Sequence, residues 1–159
     1  MNHSYIENLE QKISTKLPED YKTFLKAGVL KIDGKIFPHG KTCEDVCFED
    51  TQTQDDDENK INFVAFHLFH YEDINKTHDL NDHNCVLFNK RIPDDFITIG
   101  CDLVSNQICL GIKGEYIGKV YMWEMEFEAD DDTPQPYYEN MTLITNTFQE
   151  FLDGLFIDE

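Results

Sequence analysis

One long stretch of the chain, residues 91–128, has the pattern of β-structure almost throughout. It contains three runs rich in β-branched and aromatic residues, and these are interrupted by turn-forming residues at Ser105-Asn106 and around Gly114. Short apolar runs that alternate with such turn signals are typical of neighbouring antiparallel strands. The stretch therefore predicts three antiparallel strands, and the rest of the chain has to cover their apolar side chains.

The last of these predicted strands, residues 120–128, alternates strictly between two sets of side chains. Successive side chains of a strand point to opposite faces, so each set shares one face. The face predicted to pack into the core holds Tyr121, Trp123, Met125 and Phe127. The other face holds Met122, Glu124, Glu126 and Glu128. Three carboxylates on one strand face repel each other unless solvent or a cationic partner receives them.

Two amphipathic helices are predicted before the β-rich stretch. The first covers residues 4–16, where apolar residues recur at helical spacing and Ser4 and Glu7 occupy the positions of a capping box. The second begins near Pro18 and ends at Gly28, because proline suits the first helical turn and glycine is favoured just after the last one.

A β-hairpin is predicted directly after the second helix. The sequence VLKIDGKIFPHG alternates apolar and polar residues around Asp33-Gly34, which is a strong hairpin signal. Residues 61–74 are apolar in a pattern that fits either a helix or a strand, so the sequence leaves their conformation open.

A final helix is predicted near the carboxy-terminal end. Thr147 and Glu150 occupy the positions of a capping box, and the apolar side chains at i, i+3, i+4 and i+7 are Phe148, Phe151, Leu152 and Leu155. The order of elements predicts a single α+β domain over residues 1–159, with amino-terminal and carboxy-terminal helices packed against an antiparallel sheet. A length of 159 residues suits one domain.

The net charge excludes several classes of partner. The chain has 13 Lys and Arg against 32 Asp and Glu, so its formal charge is −19. Nucleic acids and anionic membranes need basic surface to neutralise their phosphates, so neither is expected as a direct partner. The 12 Phe, 7 Tyr and 1 Trp argue against disorder and predict a folded core beneath this acidic surface.

Two predicted loops concentrate the negative charge. Residues 41–60 hold eight carboxylates and few apolar side chains, and a second acidic loop covers residues 126–136. Such loops either keep the protein solvated or receive a cationic partner, and composition alone leaves both interpretations open.

The sequence predicts a cytoplasmic protein with reduced thiols. No run approaches the length of a membrane-spanning helix, and the amino terminus lacks the apolar run of a signal peptide. The cysteines form an odd set, which does not suggest a disulfide framework: Cys43, Cys47, Cys85, Cys101 and Cys109.

Three motifs occur together in a recognisable order. A Leu-Pro-x-x-Tyr-x-x-Phe-Leu pattern is matched by Leu17, Pro18, Tyr21, Phe24 and Leu25. A strand ending in Ile-Gly, a polar turn and then Gly-x-Val-Tyr-x-Trp are matched by Ile99, Gly100, Asp102, Gly118, Val120, Tyr121 and Trp123. An aromatic-rich last helix is matched by Phe148, Phe151 and Leu152. The chain thereby resembles the SUKH superfamily, which includes yeast cell-wall-assembly regulators and many bacterial immunity proteins.

The chain departs from the SUKH pattern at two places. Cys101 and Leu103-Val104 replace the usual glycine-rich turn, and the acidic stretch 41–60 is longer than usual. The resemblance implies a non-enzymatic α+β protein, without a cofactor, that binds and neutralises a toxin domain. Because many such toxins act on nucleic acid, the expected partner is a basic toxin domain, whose cationic cleft the acidic surface would cover.

The candidate partner-binding residues are the carboxylates of the two acidic loops and of the last predicted strand: Glu44, Asp45, Glu49, Asp50, Asp55, Asp56, Asp57, Glu58, Glu124, Glu126, Glu128, Asp130, Asp131 and Asp132. A regulatory interaction module without a toxin partner fits the same residues. The sequence leaves the choice between a monomer and a dimer open.

A small metal-dependent hydrolase is the third interpretation, and its candidate ligands are His78, His83 and Cys85. The favoured interpretation of residues 78–85 is a polar surface loop. His67 and His70 lack the spacing of a zinc-protease helix, and Cys43 and Cys47 lack that of a zinc or redox pair. Residues 55–66 do not match a twelve-residue calcium-binding loop, because Lys60 occupies the position where that loop needs a glycine. The glycines at 111, 114 and 118 do not form a phosphate-binding motif.

Overall fold

An antiparallel sheet of seven strands dominates the protein in a computed structural model that describes residues 3–38, 46–49, 63–69 and 79–157. The strands in these ranges are β1 (Val29–Ile32), β2 (Lys35–Pro38), β3 (Val46–Glu49), β4 (Phe63–Leu68), β5 (Phe96–Asp102), β6 (Gln107–Gly111), β7 (Val120–Trp123), β8 (Met141–Thr145) and β9 (Phe156–Ile157). The helices are α1 (His3–Ile13), α2 (Glu19–Ala27), α3 (Leu80–Asp82) and α4 (Phe148–Asp153). A π-helical turn (His83–Leu87) continues α3, and 3-10 turns cover Gly114–Tyr116 and Met125–Phe127.

The strand order in the large sheet is β8-β7-β6-β5-β4-β3-β9, and neighbouring strands are antiparallel throughout. β5, β6 and β7 come from residues 91–128, so the three predicted antiparallel strands are confirmed. Helices precede and follow the sheet along the chain, which confirms the α+β class. Residues 63–68, left open between helix and strand by the sequence, form β4.

The turn chemistry predicted near the amino-terminal end is present. Gly28 follows α2 with a φ of 69°, in the left-handed region that favours glycine. Asp33 and Gly34 join β1 to β2 with φ values of 48° and 78°, as a two-residue turn between twisted strands requires. These two strands form a hairpin outside the large sheet.

The two predicted capping boxes have different outcomes. The Thr147 hydroxyl accepts a hydrogen bond from the Glu150 amide at 3.0 Å, so the predicted start of α4 is confirmed. α1 instead begins at His3, which places Ser4 inside the first turn and not before it. Ser4 is therefore not the residue that caps α1, and this prediction is wrong.

The prediction of a loop over residues 41–60 is wrong at β3. Val46, Cys47 and Phe48 are buried between β4 and β9, and Phe48 stacks edge-on to Phe66 at 5.4 Å between ring centroids. Three apolar residues are enough for a central strand here because strands on both sides supply the hydrogen-bond ladder. Because acidic residues surround these three residues, the composition of residues 41–60 does not indicate a strand.

The prediction of one strand over residues 120–128 is wrong beyond Trp123. Both neighbouring strands begin opposite Trp123, at Gln107 and at Met141, so no ladder exists for the residues that follow. The chain bends into a 3-10 turn, which leaves Met125 41% exposed and Phe127 57% exposed. These two side chains were predicted to pack into the core and do not.

The large sheet packs on both of its faces. On one face, the apolar sides of α1, α2 and α4 cover a cluster that includes Ile108 and Leu110 of β6. Cys109, between them in the sequence, belongs to a second cluster, so this cluster lies on the opposite face. We call the two sides the helix face and the second face. The second cluster contains Phe88, Ile92, Phe96, Cys109 and Trp123, with tyrosines around it.

Gly100 of the Ile-Gly motif has a packing reason. A Cβ atom at this position would lie 2.6 Å from the carbonyl oxygen of His67 in the neighbouring strand, closer than real contacts allow.

Among the described residues, no helix is long and apolar enough to cross a membrane.

Candidate functional site

The described candidate carboxylates end or follow strands that finish at one end of the large sheet. Alternate strands of an antiparallel sheet run in the same direction, so β3, β5 and β7 finish at the same end. Glu49 ends β3, Asp102 ends β5, and Glu124 directly follows β7. We call this end, made of Glu49, Asp102 and residues 124–132, the acidic end of the sheet.

The candidate residues do not form one cluster within this end. β3 and β7 are separated by three strands, which puts Glu49 about 19 Å from the carboxylates that follow β7 at an ordinary strand spacing. Seven further candidates lie outside the described residues: Glu44, Asp45, Asp50, Asp55, Asp56, Asp57 and Glu58. The local acidic group within the described residues is therefore that of residues 124–132.

The backbone of this group is held by hydrogen bonds from two neighbouring segments. The Glu124 amide donates to the carbonyl of Asn140 at 2.9 Å, and the Asn140 side-chain amide donates to the Glu124 carbonyl at 3.0 Å. The Met125 amide donates to the side-chain oxygen of Asn106 at 2.9 Å. Glu124, Glu126 and Glu128 thus follow a fixed turn and not one strand face, which corrects the sequence prediction.

The turn between β5 and β6 lies directly beside Met125. One carboxylate oxygen of Asp102 accepts from the amides of Val104 and Asn106, at 3.0 and 2.9 Å, and the other accepts from the Asn106 side chain at 3.0 Å. Ser105 completes the turn with a φ of 71°. Asp102 is therefore a structural residue of this turn, with its carboxylate already engaged.

Glu128 is also engaged inside the protein. Its carboxylate receives two hydrogen bonds from the Arg91 guanidinium, at 2.7 and 2.8 Å. The guanidinium lies over the rings of Phe88 and Trp123, at 4.7 and 5.8 Å from the centroids. The hydrogen bonds to Glu128 raise the pKa of Arg91. Glu128 therefore fastens the acidic loop to the second face, and its charge is already paired.

The remaining carboxylates of the group face solvent. Glu126, Asp130, Asp131 and Asp132 are exposed, and Glu124 is half-buried. Asp130 accepts from the Thr133 hydroxyl at 2.6 Å, and this hydrogen bond lowers the pKa of its carboxyl group. From Val120 to Glu159 the chain contains eleven Asp and Glu and no Lys or Arg. A cationic partner would meet exposed carboxylates here without basic side chains from the same segment.

Sequence reasoning missed four apolar side chains at the acidic end. Leu103 and Val104 in the β5–β6 turn are 67% and 72% exposed, and Met125 and Phe127 in the adjacent 3-10 turn are also exposed. The one available signal was that Leu103-Val104 replaces a glycine-rich turn. Met125 and Phe127 gave no signal, because their alternation matched that of a buried strand.

The opposite end of the sheet has a different electrostatic character. A groove of about 550 Å³ lies there between the end of α1 and residues Phe96 and Ile112, and its charged lining residues are Lys12, Lys90, Lys113 and Asp94. Lys119 precedes β7 at the same end. Lys119 before β7 and Glu124 after it therefore lie at opposite ends of that strand.

The prediction of a polar surface loop over residues 78–85 is wrong where the structure describes it. Asp79 is only 8% exposed and His83 only 6% exposed. Nδ1 of His83 lies 2.8 Å from the Asp79 carbonyl, and the ring stacks on Phe69 at 3.9 Å between centroids. Burial lowers the pKa of His83. These are the properties of an imidazole packed into the protein interior.

The metal-site candidates gain no support from the described residues. Within residues 3–38, 46–49, 63–69 and 79–157, no group of three or more His, Cys, Asp and Glu side chains is placed to hold a metal ion. His70, His78, Cys43 and residues 55–60 lie outside these ranges. Gly111, Gly114 and Gly118 surround the hairpin between β6 and β7, as the sequence indicated.

Three of the described thiols, Cys85, Cys101 and Cys109, are poor nucleophiles. Burial raises the pKa of Cys101 to about 11, and it also raises the pKa values of Cys85 and Cys109. A thiol whose pKa lies well above neutrality carries little thiolate. The free cysteines in the described part of the chain are Cys47, Cys85, Cys101 and Cys109.

The sheet, the helices that enclose it and the motifs they carry define an α+β protein of the SUKH type. The sequence profile of the SMI1 / KNR4 family (SUKH-1) matches residues 2–154, and the chain belongs to this family. The chain is also similar to the SPbeta prophage-derived uncharacterized protein YokK of Bacillus subtilis (strain 168). The two are 28% identical over 169 residues, which cover 97% of this chain and 73% of YokK. No solved structure matches the chain.

Proposed function

We propose that this protein is a cytoplasmic, non-enzymatic immunity protein that binds and neutralises a basic toxin domain through the acidic end of its sheet. Membership of the SMI1 / KNR4 family supports the class of function. The observation that carries the mode of action is the group of exposed carboxylates in residues 124–132, with no basic residue from Val120 onwards. The toxin would be a nuclease or another enzyme that acts on nucleic acid.

The physical basis of the proposal is charge complementarity. An enzyme that acts on nucleic acid presents a cationic cleft to the phosphates of its substrate. Carboxylates on a rigid turn attract the same cleft, accelerate the encounter and exclude the substrate once they are bound. Glu126, Asp131 and Asp132 are suited to this role because they are exposed. Glu128 and Asp102 are not, since their carboxylates already accept hydrogen bonds within the protein.

The direct test is co-expression with the products of the neighbouring genes. Each neighbouring product is expressed alone and together with this protein, and toxic products are then purified as complexes. We expect one toxic polypeptide whose toxicity disappears on co-expression and which forms a complex of fixed stoichiometry. The proposal is contradicted if no neighbouring product is toxic, or if a toxic one is neither relieved nor bound.

A matched pair of variants tests the role of the acidic end. The first variant neutralises four of its carboxylates, at Glu124, Glu126, Asp131 and Asp132, to the corresponding amides. The second makes the same change in net charge at four exposed carboxylates elsewhere, at Asp33, Asp94, Glu115 and Glu150. The association rate with the toxin should fall about tenfold in the first variant and much less in the second.

Salt provides an independent measurement of the same contribution. Exposed charges are screened over about 10 Å at 0.1 M salt, so the association rate of the wild-type pair should fall as salt is added. The acidic-end variant should lose most of this dependence. Equal effects of the two charge variants would mean that net charge, and not the location of the carboxylates, governs association.

A further inference from the structure

We infer that Leu103, Val104, Met125 and Phe127 form the apolar centre of the partner-binding surface, and that the partner is a basic protein with an apolar patch inside its cationic rim. We call these four side chains the apolar ridge. This inference rests on the proposed function and adds to it the location of the contact and the chemistry of the occupant.

The ridge is a local concentration of exposed apolar surface. Eight large hydrophobic side chains of the described residues are exposed, and four of them belong to the ridge. The hydrogen bond between the Met125 amide and the Asn106 side chain joins its two turns directly. Of the other four, Ile36 and Ile117 lie singly, in the β1–β2 hairpin and after the 3-10 turn Gly114–Tyr116, and Val86 and Leu87 form a pair in the π-helical turn. Isolated exposed hydrophobics are common, whereas grouped ones mark interaction sites.

The two turns present the ridge on a fixed backbone. Three hydrogen bonds to the Asp102 carboxylate hold the β5–β6 turn, and two hydrogen bonds between Glu124 and Asn140 hold the start of the other turn. Asn140 is 3% exposed, so this second anchor belongs to the protein interior. A surface held in this way loses little conformational entropy on binding, which favours affinity.

Charge around the ridge selects among possible occupants. Glu124, Glu126 and Asp130 to Asp132 lie on the chain beside Met125 and Phe127, and no Lys or Arg occurs in residues 92–112 or 120–159. Arg91 reaches this segment, but its charge is already paired with Glu128. Lipid headgroups and nucleic acids that carry negative charge would be repelled. A second copy of this chain in a two-fold contact would bring two acidic rims together, which like-charge repulsion disfavours. A basic protein with apolar side chains fits both parts of the surface.

The two parts of the surface should affect different kinetic constants. The acidic rim acts at long range and controls the association rate, as proposed above. Apolar side chains at the centre of an interface act only after docking, so their loss raises the dissociation rate. This difference separates the ridge from the carboxylates even though they are neighbours in sequence.

The test compares three double variants in binding to the purified toxic polypeptide identified by co-expression. Leu103→Ser with Val104→Ser and Met125→Ser with Phe127→Ser change the ridge. Ile36→Ser with Ile117→Ser is the matched control, because these side chains are 61% and 58% exposed elsewhere. We expect each ridge variant to dissociate at least about tenfold faster, with association within about twofold of wild type. The control should match wild type in both constants.

The outcomes that overturn the inference differ from those that overturn the proposed function. If the wild type binds the toxic polypeptide and both ridge variants dissociate from it at the wild-type rate, the inference about the ridge is overturned and the proposed function stands. Absence of wild-type binding to any toxic neighbour overturns both. Sedimentation of the protein alone should show that the ridge is not a contact between copies. A dimer that the ridge substitutions dissociate would assign the ridge to a second copy and overturn the inference.

Each ridge variant needs a check of its fold. The replaced side chains are exposed, so the urea midpoint should stay close to that of wild type. A ridge variant with a normal midpoint and faster dissociation supports the inference. If one pair lowers the midpoint, the other pair provides the test, because the two pairs lie in different turns.

Discussion

The two faces of the large sheet are covered in different ways. The helix face is covered by regular elements whose apolar residues recur at helical spacing, and rings of α4 such as Phe151 pack onto Phe48 and Phe66. The second face is covered by the π-helical turn and by irregular chain before β5 and β8. Local periodicity accounts for the first face, whereas contacts between distant residues account for the second.

The covering of the second face depends on a few polar anchors. The Asn84 side chain donates to the carbonyls of Leu80 and Thr98, both at 2.9 Å, and accepts from the Thr98 amide at 2.8 Å. Arg91 pairs with Glu128 above the rings of Phe88 and Trp123. Tyr138 donates to the Asp95 carboxylate. Removing one of these anchors should therefore lower the free energy of unfolding by less than removing an aromatic ring from the helix face.

The largest effect should come from an apolar truncation on the helix face. Phe151 is 1% exposed, so Phe151→Ala should cost about 4 to 5 kcal/mol in the free energy of unfolding. On the second face Phe88 is 9% exposed and lies under Arg91, so Phe88→Ala should cost about 3 kcal/mol. Urea unfolding monitored by circular dichroism measures both. An equal or larger cost for Phe88→Ala would contradict the difference between the faces.

The next effect concerns the link between the π-helical turn and β5. Asn84→Ala removes both side-chain partners of the Thr98 backbone, and Thr98 is fully buried. Unmade hydrogen bonds at buried groups are costly, so we expect a loss of about 2 to 3 kcal/mol. Asn89→Ala, at an exposed position of the same segment, is the control and should stay within about 0.5 kcal/mol. Equal losses of stability for the two variants would show that Asn84 does not anchor this segment.

A smaller effect is expected for the ion pair on the second face. Arg91 and Glu128 are 36% and 25% exposed, so solvent screens their attraction. Arg91→Met keeps the apolar stem over the rings, and it should cost about 0.2 to 1 kcal/mol at low salt and less at about 1 M salt. Urea unfolding at both salt concentrations checks this. A cost that does not change with salt would show that packing, and not charge, holds Arg91.

The smallest effect at neutral pH concerns His83, between the two clusters. Burial lowers its pKa in the folded protein, so below about pH 6.5 the unfolded chain binds a proton that the folded protein resists. Stability should therefore fall as pH decreases from about 6.5 toward the folded pKa. Because the hydrogen bond with the Asp79 carbonyl and the nearby carboxylates of Asp82 and Asp79 oppose part of this shift in pKa, the decrease should be modest.

The measurement for His83 is the difference between two pH profiles. Thermal unfolding of wild type and of His83→Phe is followed from about pH 7.5 to 5.5, and the remaining five histidines are common to both proteins. The variant keeps a ring beside Phe69 and lacks the titrating group. We expect the profiles to diverge toward acid pH, with wild type losing stability faster. Parallel profiles would mean that His83 is protonated equally in both states.

The sequence predicts most of the helix face and little of the second face. α2 and α4 follow from helical periods and from residues such as Gly28 and Thr147 at their ends. The strands β5 to β7 follow from apolar runs separated by turn residues such as Ser105-Asn106. β3 could not be found from its own composition, because three apolar residues become a strand only when β4 and β9 pair with them. Asn84 gives no local signal either, since its partner Thr98 is fourteen residues away.

The candidate site was predictable in its charge and not in its shape. The acidic residues 124–132 stand out in the sequence, and the exposure of Glu126 and Asp131 agrees with their solvated character. Met125 and Phe127 alternate as core residues do, and only the starting points of β6 and β8 show that the strand ends before them. The register of neighbouring strands, which the sequence does not state, decides which apolar residues reach the surface.

The pairing of β9 with β3 joins residues more than a hundred positions apart along the chain, Phe156 with Cys47 and Ile157 with Val46. The ribosome releases the amino-terminal part of a chain first. During synthesis, β3 therefore has one unpaired edge until Phe156 and Ile157 emerge. An open edge can pair with other nascent chains. The two residues of β9 thus act as a late closing step that ends this period of exposure.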